Sequence, residues 1–481
     1  MSNPSLIHRS NANSSLYNTI KARNSKQNVY DYVNEGESNI CPVARSKVIV
    51  NPTTSMSSGG NQTIKFELPN FGLLEDLYLQ TKFLQGSTNV ADGSTDTALV
   101  DFAGAFAFTR VRITYQNSTL WEATPEALLC GLYSRADSER GVQLDAMLGS
   151  APLGAASNTS TELIGRRALA SANGGQVLSC PLKAWFTESL GRAWDLYSLS
   201  SRAYVEVDYR ANGDVHEVAD STKCLFDDCN LVCYMAELSP EELVRYQSSN
   251  YAPNSVSSQL AYNTTLFSDS ISSPVLITST STAGNKIKIQ SISGLCRRLF
   301  VFATLDSVRS SATAKSYMSS VDLSQVQLLA NNQIIYELEN CGVGVDSLAS
   351  LSAGNGYHTD AVVEAFRNNM PMGFRGNNAD NETTTTYSVP DPITSGFGFT
   401  KGGKFSPAHV KVINFGYNPN DRASADGSLS LSQLGNPEIS VKFPTGTSDV
   451  AHTLHVVAEI LTIATYNTSS TGSINFKVIT E

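Results

Sequence analysis

From Gln62 onward, apolar and polar residues alternate with a period of two over many short stretches. In QTIKFEL, Ile64, Phe66 and Leu68 alternate with Thr63, Lys65 and Glu67, which predicts a strand with one buried and one wet face. The same reading predicts strands at 77–83, 203–209 and 229–238, then at 286–292, 297–305, 410–417, 437–443, 452–466 and 473–480. Two stretches share one pattern. Thr109 to Glu122 reads TRVRITYQNSTLWE and Ser324 to Glu337 reads SQVQLLANNQIIYE. At a constant offset, Val111 matches Val326, Ile113 matches Leu328, Asn117 matches Asn332, Trp121 matches Tyr336 and Glu122 matches Glu337. Each is a strand, a polar Asn turn and a short second strand, which is a hairpin signal. The flanks correspond too, 62–68 with 286–292 and 77–83 with 297–305, so the chain reads as a duplicated unit.

Helix signals are few. Thr124 is placed as an N-cap with Pro125 at the first helical position. Ser239 and Glu242 form an S-x-x-E capping box around Pro240. A further helix is expected at Asp360 to Arg367. Residues 142–179 and 340–405 contain long loops rich in small and polar residues, expected to emerge at one end of each half and to tolerate insertion. Between these features lies CPLKAWFTESLGRAWDLYSLSSRAYVEVDY, Cys180 to Tyr209, with the aromatic pair Trp185 and Phe186 and a turn at Gly191. The organisation that follows is a polar N-terminal arm at 1–45, a first half at 46–250 and a second at 251–481. Each half has about eight strands, which suits one jelly-roll barrel, so the fold class is all-β with two tandem barrels.

Composition supports this picture. The 481 residues are too many for one ordinary core. Charged residues are only 16% and the net charge is −10, so the bulk surface is no nucleic-acid footprint. The first thirty residues differ, carrying Arg9, Lys21, Arg23 and Lys26 and no acid. This arm has three readings: contact with a genome, contact with an internal membrane, or clamping of adjacent subunits. The start lacks the apolar run of a signal peptide. In a reducing compartment the eight cysteines are then thiols. The N-x-S/T sequons, such as those at Asn61, Asn117, Asn263 and Asn467, carry no weight without secretion.

Candidate chemistry is sparse. GFTKGGK at 398–404 satisfies a phosphate-loop spacing, but Phe405 stands where Ser or Thr would bind Mg²⁺. Cys224, Cys229 and Cys233 suggest a metal cluster. In a strand, however, the last two are about 13 Å apart, too far for one zinc ion. His452 and His455 are an odd number of residues apart in a strand and point to opposite faces. No catalytic, cofactor-binding or metal site is expected.

Three segments resemble the double jelly-roll major capsid proteins of large and mid-sized DNA viruses, a group spanning virophages and Polinton-like elements and, more distantly, adenoviruses and tectiviruses. VRITYQNSTLWE is similar to the first-barrel strand–turn–strand, with Gln116-Asn117 where the family usually has Gly-Gly. PLKAWFTESLGRAWDLYSLSSRAYVEV is similar to the passage into the next strand. VINFGYNPNDRASADGSLSLSQLGNPEISVKF is similar to a second-barrel strand with its Asn-Pro turn. The resemblance implies a structural, non-enzymatic protein of the virion with no cofactor. It implies homotrimers of pseudo-hexagonal outline that meet neighbouring capsomers, penton and minor capsid proteins. A minor capsid or spike protein, or a secreted carbohydrate-binding β-sandwich, is the alternative.

Overall fold

The structure is a computed structural model that describes residues 43–85, 99–133, 143–149 without 145, 175–187, 193–216, 224–240, 243–244, 256–261, 267–270, 275–276, 285–289, 292, 294–311, 315–317, 320–321, 323–338, 410–416, 427–443, 451–468 and 474–480. The first barrel contains β1 (Val43–Val50), β2 (Thr63–Glu67), β3 (Leu73–Gln85), β4 (Phe108–Tyr115), β5 (Ser118–Ala123), β6 (Gln176–Pro181), β7 (Trp194–Asp195), β8 (Ala203–Tyr209) and β9 (Cys224–Leu238). Helices α1 (Ala103–Phe106) and α2 (Pro125–Tyr133) flank the β4–β5 hairpin. The second barrel contains β10 (Val256–Ala261), β11 (Phe267–Ser270), β12 (Val275–Leu276), β13 (Asn285–Lys288), β14 (Leu295–Leu305), β15 (Ser320–Val321), β16 (Gln325–Ala330), β17 (Gln333–Leu338), β18 (Lys411–Asn414), β19 (Leu429–Ser430), β20 (Pro437–Lys442), β21 (Ala451–Thr468) and β22 (Ile474–Thr480), with helix α3 (Asp306–Arg309) after β14.

The two barrels share one plan. In the first, a sheet ordered β1-β9-β3-β6, with β7 beside β3, faces a sheet ordered β2-β8-β4-β5. In the second, β13-β20-β16-β17 repeats the smaller sheet. The larger one is built on β21 and β14, with β10, β11 and β12 along β21 and β18 along β14. All pairings are antiparallel, and the chain crosses between sheets as a jelly roll requires. Alternation sets the faces. On β8, Ala203, Val205, Val207 and Tyr209 are buried, while Tyr204, Glu206 and Asp208 are half-buried. Glu206 and Asp208 meet Lys65, Arg110 and Arg112 from neighbouring strands at 2.9–3.7 Å.

The repeated hairpin keeps its register residue by residue. Val111 faces Ala123 as Val326 faces Leu338, and Ile113 faces Trp121 as Leu328 faces Tyr336. Both ladders slip at the same place, after Ile113 and after Leu328. Both turns hold two residues in the left-handed region, Gln116 and Asn117 at φ 48° and 61°, and Asn331 and Asn332 at 49° and 62°. This is the primed turn whose twist matches a two-residue hairpin, and Asn tolerates it better than other non-glycine residues. Asn332→Val should therefore lower stability by about 1–2 kcal/mol, measured by urea unfolding. No loss would mean the turn relaxes without strain.

Several sequence expectations shift. Residues 176–179 belong to β6, not to the loop expected at 142–179, and Leu148 is core. The alternation around Leu178 and Cys180 is too short to stand out after a long run of small residues. Strand β9 starts at Cys224, not 229. Exposed Asp227 and Asp228 interrupt the pattern, and the β3–β9 register shifts beside them. Strand β13 ends at Lys288, although Ile289 and Ile292 remain buried. Helix α2 follows its signal, with the Ala127 N–H donating to Thr124 Oγ1 at 3.4 Å. At the capping box, Leu243 N–H donates to Ser239 O at 2.8 Å. The helix expected at 360–367, the turn at Gly191 and the loop at 340–405 lie outside the described residues.

Candidate functional site

The most developed site is the seam between the barrels. It exists because β14 and β21 are buried on both faces. Leu299, Val301, Ala303, Leu454, Val456 and Ala458 point into the second barrel's core. Phe300, Phe302 and Val457 point the other way and join the first barrel's core. This explains why RRLFVFATL is almost uniformly apolar rather than alternating. Arg298 lies on that outward face, fully buried, and is paired with Glu459 directly across the ladder.

Charged residues from both barrels meet at the seam. Glu126 of α2 is buried and accepts from Arg309 of α3 at 3.3 Å. The other terminal nitrogen of Arg309 lies 3.3 Å from His455 Nε2, which also meets Thr304 Oγ1 at 2.9 Å. A guanidinium can only donate, so His455 Nε2 accepts and the ring is neutral. The His455 ring stacks on Phe302, with centroids 4.7 Å apart. Nearby, Lys315 bonds Asp214 at 2.6 Å, and the Tyr317 hydroxyl donates to the Asp214 carbonyl at 3.0 Å. Phe106 stacks on Tyr317 at 4.9 Å, and the Arg210 guanidinium sits 4.4 Å above the same ring. Glu126, Arg210 and Asp214 come from the first barrel; Arg309, Lys315, Tyr317 and His455 come from the second.

The charges set opposing pKa shifts. Burial pushes Glu126 up, but His455, charged only at the low pH where the carboxyl titrates, and the Arg309 and Arg210 guanidiniums outweigh it and hold the carboxyl below its ordinary range. Burial pushes His455 down to about 4, against the pull of Glu126. Between pH 6.5 and 4 the unfolded chain therefore binds a proton that the folded chain refuses, so stability falls as pH falls through that window. The expected loss from His455 is about 3 kcal/mol by pH 4, with Glu126 adding to it at lower pH. His455→Gln should flatten the profile between pH 6.5 and 4 in thermal unfolding. An unchanged slope would place the titrating group elsewhere.

A second contact lies at the C-terminal strand. Phe476 of β22 stacks on Trp185 at 5.6 Å and meets Trp194 at 5.4 Å. Phe186 completes the group, stacked on Trp194 at 5.8 Å. The aromatic pair that stood out in the sequence thus holds the last strand of the second barrel.

Other sequence candidates fall elsewhere. Cys224, Cys229 and Cys233 all lie in β9 and in the core, where burial pushes each thiol up to about 12. Such thiols are poor nucleophiles and poor ligands. No group of three metal-binding side chains occurs among the described residues. His452 points into the second barrel against Phe443, at 4.9 Å, while His455 faces the seam. The basic arm residues Arg9, Lys21, Arg23 and Lys26 and the segment 398–405 lie outside the described residues. Sequence reasoning missed Glu126, Arg210, Asp214, Arg309, Lys315 and Tyr317, because their partners across the seam are 101 or more residues away and no local spacing marks them.

Two jelly rolls fused side by side through such a seam define a double jelly-roll protein. The comparison with solved structures places this chain beside viral capsid proteins. It matches PBCV-1 VP54, as fitted into a reconstruction of the virophage Sputnik, with TM-score 0.57 and 11% identity over 91% of this chain and 97% of that one. It matches the PBCV-1 virus capsid model with TM-score 0.55 and 11% identity, over 90% and 97%. It matches the Faustovirus major capsid protein with TM-score 0.50 and 11% identity, over 93% and 92%. At these identities the likeness is one of fold. No family model matches the sequence, and no curated protein does.

Proposed function

We propose that this chain is the major capsid protein of an icosahedral DNA virus and assembles as a homotrimer. The observation that carries the reading is the extent of the fold match, which spans at least 90% of this chain and of each of the three capsid structures. The duplicated barrel supplies the geometry. Two similar barrels per chain give six in a closed ring of three, a pseudo-hexagonal tile for six-coordinated lattice positions. Penton and minor capsid proteins then occupy the positions this tile does not fit. The role is structural and needs no cofactor, and the protein resides in the virion. In this reading the chain divides into an arm at 1–45, whose last residues from Val43 already open β1, and barrels at 46–250 and 251–481. Arg9, Lys21, Arg23 and Lys26 make inter-subunit or interior contacts.

Light scattering on the purified full chain tests this, with negative-stain imaging of the outlines. A mass of three chains and hexagonal outlines are expected; a stable single chain overturns the reading. Removing residues 1–40 should leave the trimer intact and impair shell formation. Complete shells from the truncated chain would remove the arm from assembly.

A further inference from the structure

Two ion pairs between described residues cross the seam, and both have one polarity. The first barrel supplies the acid and the second the base: Glu126 with Arg309 at 3.3 Å, and Asp214 with Lys315 at 2.6 Å. Arg298 and Glu459 also lie on the seam, but both belong to the second barrel. Around Glu126, α1 carries no charge, α2 adds Cys130 and Tyr133, and α3 adds Asp306. On β4, Arg110 and Arg112 are engaged by Asp208 and Glu206 on the sheet's outer face. Around His455, Arg309 and Thr304 are in contact, and β11 carries Asp269 at the register position of Val456. His452 lies on the other face of β21, against Phe443. Beside Asp214 stand Arg210, over the Tyr317 ring at 4.4 Å, and β9 with Asp227 and Asp228, of which Lys82 takes Asp227.

We infer that the seam is an acid-operated latch: acidification discharges the first barrel's side of it, and the two barrels of one chain part while each keeps its strands. In neutral solution Arg210, Arg309 and Lys315 face two carboxylates, and His455 is uncharged. Protonating Glu126 and Asp214 removes both bridges at once, because both acids stand on the same side. Protonating His455 adds a fourth cation, so positive groups of the two barrels then face each other with neither bridge left. Burial holds His455 neutral down to about 4, and cations hold Glu126 ionised to low pH, so the two changes fall close together. Ion pairs within one barrel can weaken in the same acid without parting the barrels. Parting uncovers Phe300, Phe302 and Val457, and takes Phe476 from Trp185 and Trp194. The inference stands on the seam alone and holds whether or not the chain builds a shell.

The test is an acid titration of the full chain with three signals. Far-UV circular dichroism follows the strands, tryptophan emission follows Trp185 and Trp194, and an apolar fluorescent dye follows uncovered surface. Dye binding and a red shift are expected to set in near about pH 4 while the dichroism holds, with the strands lost about one pH unit lower. His455→Gln, which cannot gain the fourth charge, should delay the first step by about one pH unit. Glu126→Gln/Asp214→Asn, which lacks both bridges at neutral pH, should bring it forward by as much. His452→Gln, on the other face of β21, should leave it in place. Loss of dichroism and gain of dye in a single step overturns the latch. So does a first step that His455→Gln does not move, or that His452→Gln moves as far. The two histidine variants decide the matter even if the double variant misfolds.

Discussion

Replacing Glu126 with leucine is expected to lower the unfolding free energy by about 3–5 kcal/mol. The change removes the carboxylate that faces Arg309 at 3.3 Å and leaves the guanidinium uncompensated at the seam. Arg210 also acts on Glu126, so its loss leaves two cations near one another. Removing both partners should be far milder. In Glu126→Leu/Arg309→Met the buried charges go together and apolar side chains of similar length fill the space, so most of the loss should be recovered. Urea unfolding of both variants measures this. Trp185 and Trp194 report the other end of the seam by fluorescence. If the single variant loses less than about 1 kcal/mol, Arg309 has found other partners and the pair does not hold the barrels together.

The second large effect is expected at the opposite end of the chain. Phe476→Ala should cost about 3–5 kcal/mol, the range for truncating a buried aromatic side chain. Phe476 is 3% exposed and packs against both Trp185 and Trp194, whose rings also meet each other at 5.0 Å. Its removal opens a cavity bounded by both barrels, and water reaching it should shift tryptophan emission to longer wavelength. Phe476→Leu keeps most of the volume and should lose less than half as much. Equal losses for the two variants would mean ring stacking, not filled volume, holds the strand.

Much of the architecture was written in local patterns, and the reason is physical. A strand with one wet face must alternate, as Ile64, Phe66 and Leu68 do, and a two-residue hairpin must tolerate positive φ, as Asn117 and Asn332 do. These signals need no knowledge of distant residues. The seam is different. Nothing near Glu126 announces Arg309, which lies 183 positions on. His455 was legible only as a residue pointing away from His452. Its neutral state follows from packing against Phe302 and Arg309, which no spacing encodes. The block containing Trp185 and Phe186 stood out by composition alone, and its partner Phe476 came from the far end of the chain. Strand edges suffered where charges or brevity masked the alternation, as at Asp227 and Asp228 in β9.

The two-sided burial of β14 and β21 also bears on how the two halves can diverge. On β3 of the isolated chain, a substitution at Tyr78 or Gln80 meets a partly open surface, whereas one at Phe300 or Phe302 of β14 must satisfy two cores at once. Overpacking or a cavity there typically costs several times what a surface change costs. The same sheet in the two halves is therefore under unequal packing constraint. Random mutagenesis scored for folded single chains should give a lopsided tolerance map. The outward positions of β3 and β9 would accept polar and bulky replacements, while those of β14 and β21 would stay nearly invariant.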